Sequence, residues 1–300
     1  MPLLASTAQL LSLQQMERGV IETIIDRDDT LQMLPFTHVS GKSYVYDREN
    51  TLSGADWLSP NDTVNESAVD VTQVTALLKI LAGDTDVDKF LSTTMNNIND
   101  QVAIQVQAKV KAVGRAFHQA FATGDATANP KTFDGIAKLV DPSQVIPAAV
   151  NGAAVTLSLL DQLKDQVIMG PDALVMRRGT WRSIKQLMRA AGGTRPEMLQ
   201  LPNLGYPVPA FDGVPVLMND FLSTTETQGT NTTTCSIYAV RFNEADGLHG
   251  LAGGDAAGMV VEDIGTVQNK DARRIRVKWY CGLALKSTRS LARLSGITSF

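Results

Sequence analysis

The residues whose chemistry could support a reaction are few, and their spacing keeps them apart. His38, His118 and His249 could each act as a metal ligand or a base, but none stands in a His-Glu-x-x-His or comparable ligand spacing. Neither a metal centre nor a histidine-based triad follows from them. Asp84-Thr85-Asp86-Val87-Asp88 begins like a calcium loop, yet Lys89 occupies the place where the sharp turn needs glycine. The run reads instead as acids at a helix N-terminus, where the helix dipole favours negative charge. Gly253-Gly254-Asp255-Ala256-Ala257-Gly258 has the glycine spacing of a phosphate loop, but Met259 replaces the lysine that would reach the phosphates. No Gly-x-Ser-x-Gly elbow is present, and Gly124-Asp125 reads as turn chemistry: Gly supplies positive φ after a helix and Asp bonds the following backbone. No catalytic residue, cofactor-binding residue or metal ligand is assigned, and no enzymatic activity or cofactor is expected.

Composition points the same way. The 300 residues are 44% hydrophobic, enough to bury a substantial core, and the formal charge of -4 argues against a dedicated nucleic-acid binder. Charge is unevenly placed: residues 1–100 carry six Lys/Arg against fifteen Asp/Glu, whereas 269–300 carry eight against the single Asp271. Unlike ends let copies of one chain attract each other, although both stretches also suit ordinary solvated faces. Cys235 and Cys281 are far apart and in no Cys-x-x-Cys pair, which fits a reducing cytoplasm. The start lacks the basic region of a signal peptide, and no apolar run is long enough to span a membrane.

The elements that would position these residues are more telling. Val87, Leu91, Met95, Ile98, Val102, Val106, Val110, Val113, Phe117 and Phe121 are spaced three or four apart. The spacing predicts one amphipathic helix of roughly thirty-five residues, Val87 to Phe121. Such a rod would span about 50 Å, which suits an elongated subunit better than a small enzyme core. Upstream, residues 1–35 carry helical spacing as far as Leu34-Pro35. Val39 to Asp47 and Val69 to Thr75 alternate as strands around a polar stretch, 48–66. Together they predict a two-stranded arm with a projecting tip. A lone hairpin is marginal in water, so something beyond its own subunit should hold it. Trp57 and Leu58 at the tip could fill a neighbour's pocket or fold back onto their own core.

Downstream, helices are predicted over 156–167, with Thr156 as N-cap, and from Thr180 to Gly192-Gly193. Strands are predicted at 173–176, near 210–217, and at 236–241, 259–264 and 275–285, with a Thr/Asn-rich loop at 223–234. Without regular alternation of strand and helix, the fold class is α+β.

This order of parts resembles the major capsid protein of tailed bacteriophages, the Hong Kong 97-type fold. Leu34-Pro35-Phe36 leading to Tyr46-Asp47-Arg48-Glu49 resembles the entry to the family's extended loop. Val87–Phe121 resembles its spine helix, and Phe121-Ala122-Thr123-Gly124-Asp125 with Phe133-Asp134-Gly135-Ile136 resembles the turn that closes it. Phe211-Asp212-Gly213-Val214-Pro215-Val216 and the basic strand Arg274–Leu285 resemble parts of the axial and peripheral domains. The resemblance implies an N-terminal arm (1–35), extended loop (36–83), peripheral domain with spine helix (84–148), axial domain (149–268) and a return strand of the peripheral domain (269–300). It also implies self-assembly through hexamers and pentamers into an icosahedral virion shell, built in the bacterial host cytoplasm around double-stranded DNA. Arg48, Glu49, Trp57 and Leu58 would make assembly contacts, and Gly124 and Asp125 the structural turn. Its partners would be copies of itself, a portal and, where one exists, a decoration protein, with only weak non-specific contact to DNA and none to a membrane.

Two departures from family patterns carry expectations of their own. Only a short stretch precedes the extended loop, which points to a separate scaffolding protein. The tip from Thr51 to Asn65 holds no lysine, and no asparagine follows Asn269, so the Lys-Asn cross-link of some relatives lacks its partners. A shell of the same fold enclosing enzymes is the near alternative. A soluble enzyme or binding protein dimerised by a coiled coil is the distant one, disfavoured by Gln105 and Lys109 near the stripe. Assembled shells run on a denaturing gel should give the monomer band alone; a ladder of covalent oligomers would refute this.

Overall fold

A computed structural model describes residues 29–51, 57–60, 62–63, 66, 70–94, 101–192, 197–200, 206–254 and 258–300. In chain order its elements are helix α1 (Asp29–Met33) and strands β1 (Phe36–Val39), β2 (Ser43–Thr51), β3 (Asp70–Leu77) and β4 (Lys79–Asp88). Helices α2 (Lys89–Thr94), α3 (Gln101–Thr123) and α4 (Ile136–Leu139) follow, then β5 (Val145–Pro147), α5 (Leu157–Asp165), β6 (Ala173–Met176) and α6 (Arg178–Ala190). The remainder is strand: β7 (Glu197–Gln200), β8 (Pro207–Phe211), β9 (Val214–Met218), β10 (Glu226–Gln228), β11 (Asn231–Val240), β12 (Leu248–Gly253), β13 (Val260–Thr266), β14 (Ala272–Leu285) and β15 (Leu291–Ile297).

These strands make three sheets. In the first, β14 pairs antiparallel with β4, β12 and β13, and β1 adds parallel to β12. The second runs β5-β15-β11-β6-β9-β8-β7, with β10 beside β11, and α5 and α6 cover it. The third is the hairpin β2–β3 alone. The class is α+β, as the irregular alternation of elements implies. The stretch 269–300, read as one return strand, supplies β14 to the first sheet and β15 to the second.

The predicted rod divides. Val87 lies in β4, α2 is a separate short helix, and α3 begins at Gln101; residues 95–100 fall outside the description. The physical reason is visible in the alternation over 80–88: Leu81, Thr85 and Val87 face inward while Asp84, Asp86 and Asp88 stay more open. A period of two abuts the helical stripe downstream, and for a few positions its apolar residues satisfy both spacings. The stripe itself holds where it is described. Val113, Phe117 and Phe121 are buried along α3, with Val110 packed beside them.

Other expectations change in detail. The strand over 39–47 breaks into β1 and β2 because Gly41 turns the chain at φ +119°, a conformation that suits glycine. Thr156 caps α5 as expected, its hydroxyl accepting from the Leu159 N–H. Thr180 does not cap α6; Arg177 does, without a side-chain bond, and Thr180 is buried in the first turn. The loop at 223–234 contains β10 and the start of β11, and the glycine run from Gly253 opens at the end of β12, with 255–257 outside the description. Helical spacing before residue 29 also falls outside it. Among the described residues no helix is long and apolar enough to cross a membrane.

Phe117 centres the larger core, its ring 4.5 Å from Trp279, 5.5 Å from Phe133 and 6.4 Å from Phe36. Helix, sheet, closing turn and the strand before the hairpin meet there. Truncating Phe117 to alanine should cost about 3–5 kcal/mol, read as a lowered urea midpoint for the unassembled chain.

Candidate assembly surface

The hairpin β2–β3 is built for reach. Its rungs run in register from Ser43↔Leu77 to Glu49↔Val71, then shift before Thr51↔Asp70. Val45, Val71 and Leu77 leave about half of their surface exposed on a face they share with Asp47, Gln73 and Thr75, so the ribbon carries apolar groups that its own chain does not cover. Beyond it, Trp57 is fully exposed and Leu58 half-exposed. Most of the stretch 52–69 around them lies outside the described residues.

One face of the hairpin is fixed to the body of the chain. The Tyr46 hydroxyl donates to the Leu285 carbonyl at 2.7 Å, and Arg48 donates to the carbonyls of Leu285 and Lys286 at 2.6 and 2.8 Å. Arg48 is therefore occupied within its own chain. Glu49 pairs by backbone with Val71. Beneath Tyr44 lies His249, ring edge to ring face at 5.6 Å, with burial pushing its pKa down. A small core of Val39, Leu251 and Ala284 with Tyr44, Tyr46, Ala76 and Leu78 completes the anchor. The three histidines do not converge: His38 contacts the Gly254 carbonyl, and His118 lies edge-on to Phe117.

The closing turn works by a different route from the one its glycine suggested. Gly124 is not at positive φ. A Cβ there would stand 2.3 Å from the Phe133 carbonyl oxygen and 2.4 Å from that of Ala120, so glycine is required by close approach. The Gly135 N–H donates to the Gly124 carbonyl at 2.9 Å, locking the two ends of the turn. Asp125 does bond the following backbone, accepting from Thr127 at 2.8 Å and Ala128 at 3.3 Å, and these bonds hold its carboxyl below its ordinary range. Between this turn, α3 and the start of β4 lies a cavity of about 430 Å³, bridged by Lys79 donating to the Pro130 carbonyl at 2.6 Å. Cys281 lines it, but burial pushes that thiol up to about 12, and Cys235 to about 11, so neither is a ready nucleophile.

The acidic run 84–88 has a role that its helical reading hid. Asp84 stands opposite Arg276 and Asp86 opposite Arg274 in the β4–β14 register. Each pair is two-pronged at 2.6 and 2.7 Å. On the other edge of β14, Arg273 meets Asp263 and Lys278 meets Glu262. The sequence signal was the period of two on both strands, acids on one and Arg274, Arg276 and Lys278 on the other.

No family model matches the sequence, and no curated protein matches it. Solved structures do. The holo-SrpI encapsulin complex from Synechococcus elongatus PCC 7942 matches with a TM-score of 0.74 at 19% identity, over 98% of this chain and 96% of that one. The capsid of a native GTA particle matches at 0.70 and 16%, covering 98% of each chain. The cyanophage A-1(L) capsid matches at 0.69 and 10%, over 96% of this chain and 98% of that one. The chain has the Hong Kong 97-type capsid fold. Each likeness extends over nearly the whole of this chain.

Bonding from Arg276 holds the Asp84 carboxyl below its ordinary range, and bonding from Arg274 does the same for Asp86. A carboxylate lowered in the folded state stabilises it above the unfolded pKa, and that contribution is lost as pH falls through the folded value. Urea midpoints of the chain should therefore fall on acidification below the ordinary carboxylate range. The double variant Asp84→Asn/Asp86→Asn should be less stable at neutral pH and show a shallower acid limb.

Proposed function

We propose that this chain is the subunit of a self-assembling protein shell, a structural protein with no reaction of its own. The observation that carries the reading is the whole-length likeness to shell-forming proteins, alongside a hairpin whose apolar groups and Trp57 tip are left uncovered by its own chain. Exposed apolar and aromatic groups on an anchored ribbon supply what a neighbouring subunit would bury.

In the finer form of this reading the shell is the icosahedral head of a tailed phage, made of hexamers and pentamers around double-stranded DNA and located in the virion. Trp57 and Leu58 reach the neighbouring subunit, with Glu49 beside them, while Arg48 holds the base from which they reach. Residues 36–83 act as the extended loop, 84–148 with 269–300 as the peripheral part, and 149–268 as the axial part. A scaffolding protein, a portal and a decoration protein are the partners this reading assigns. The second reading, a nanocompartment shell around protein cargo, is favoured by the likeness to the encapsulin complex.

The test is negative-stain electron microscopy of the chain expressed alone and with a scaffolding protein. Closed shells, rings or tubes of capsomers are expected. A monodisperse dimer under both conditions, across salt and concentration, would overturn the shell reading in favour of a coiled-coil protein. Nuclease-protected DNA inside shells from infected or induced cells would support the phage head, and a single co-purifying enzyme the compartment.

A further inference from the structure

Helix α6 has two unlike faces. Trp181 and Ile184 are buried, and Leu187 and Met188 pack beside them against the second sheet. The opposite face carries Arg178, Arg182, Lys185 and Arg189. At 3.6 residues per turn these four fall within an arc of about 60°. No acid occurs in α6, and none occurs in the sequence from Ala173 to Pro196, in a chain whose net charge is -4.

This face differs from the basic row of β14. Several other cations meet carboxylates: Arg274 with Asp86 and Arg276 with Asp84 across β14 and β4, Arg293 with Glu226 at 3.0 Å, and Lys164 with Asp212. On α6 only Arg178 is paired, with Asp220 at 3.0 Å; Arg182, Lys185 and Arg189 make no ion pair with any described residue. Helix stability does not account for them. Arg189 suits the C-terminal turn, but Arg178 and Arg182 lie toward the N-terminus, where the dipole favours acids.

We propose that this face of α6 binds the phosphate backbone of double-stranded DNA, independent of sequence. The inference rests on the shell reading and deepens it, because it favours DNA as the content. Charge complementarity names the partner class, and the surroundings of the stripe choose DNA over an acidic protein. Protein interfaces are centred on desolvated apolar anchors, and α6 exposes no large apolar side chain. Its exposed positions are Arg178, Arg182, Gln186, Arg189 and the small terminal Ala190, with Lys185 half-buried between them, so all the long exposed side chains are hydrogen-bond donors suited to phosphate oxygens. Neighbouring rows on one helix face lie about 5–6 Å apart, so three cations form a continuous track. With Trp181 turned inward, no aromatic group is offered for base stacking, and the contact reads backbone only.

The experiment is fluorescence anisotropy of a short DNA duplex with the full chain, titrated from about 50 to about 200 mM salt. Substituting Arg182→Gln/Lys185→Gln/Arg189→Gln should lower the slope of log affinity against log salt by about 3, and weaken low-salt binding by more than about tenfold. Arg182→Lys/Arg189→Lys should retain the slope. If circular dichroism shows the triple variant unfolded, Arg182→Gln alone should lower the slope by about 1. An unchanged slope in a folded variant would overturn the proposal, as would absence of duplex binding by the parent chain. Loss of shell assembly with DNA binding intact would overturn it too, and would assign the face to a neighbouring copy. Failure of the parent chain to form shells at all is seen separately by microscopy and concerns the shell reading.

Discussion

Strand β14 is the member on which the other elements depend. From Arg274 to Cys281 it alternates, so that Ile275, Val277, Trp279 and Cys281 face the core while Arg274, Arg276, Lys278 and Tyr280 are more open, and its last five residues are buried throughout. The inward row receives α3, with Trp279 against Phe117. The outward row receives the carboxylates of β4 and β13. At its far end the carbonyls of Leu285 and the following Lys286 receive Tyr46 and Arg48, which sets the base of the hairpin. One strand thus ties the helix, two neighbouring strands and the projecting ribbon into a single frame.

That frame explains how an uncovered hairpin can be tolerated. Two antiparallel strands alone do not hold their shape in water, since half their backbone and one face stay solvated. Here one face of the ribbon, with Tyr44, Tyr46 and Arg48, is pinned by donors to carbonyls and by a small apolar cluster, while the opposite face leaves Val45, Val71 and Leu77 half-exposed. A ribbon held rigid on one face loses less entropy when a second copy covers the other. The same logic applies at the turn after α3, where backbone approaches at Gly124 and Gly135 leave no space for a side chain and hold the long helix against the core.

Charge is distributed by a similar division. Acids of the first hundred residues and cations of the last thirty neutralise one another inside the subunit, at β4 and β14, rather than only between subunits. The unlike ends of the sequence are therefore partly an intramolecular pairing. The basic face of α6 has no such counterpart among the described residues, and for that reason it is the surface whose charge most needs a partner outside the chain.

Local pattern made much of this legible. The alternation around residues 44–47 and 70–75, the buried tetrad Ala173–Met176, the Thr156 cap and the helical stripe through Val113, Phe117 and Phe121 all depend on near neighbours in sequence, so composition and period reveal them. The start of the helix is not legible locally, because a period-two run, Leu81 to Val87, abuts a helical stripe and its apolar residues satisfy both spacings for a few positions. Only pairing with Arg274 and Arg276, nearly two hundred residues away, decides for the strand. Likewise β12 and β15 gave weak local signals, because buried strands in a sheet interior lose their alternation, and their partners are distant in sequence. The sequence by itself determined the α+β class, the helical stripe and the projecting hairpin, since each follows from spacing along the chain. The tertiary structure alone decided where the helix begins, what Gly124 is for and which charges are left without a partner, since each depends on atoms brought together from far apart.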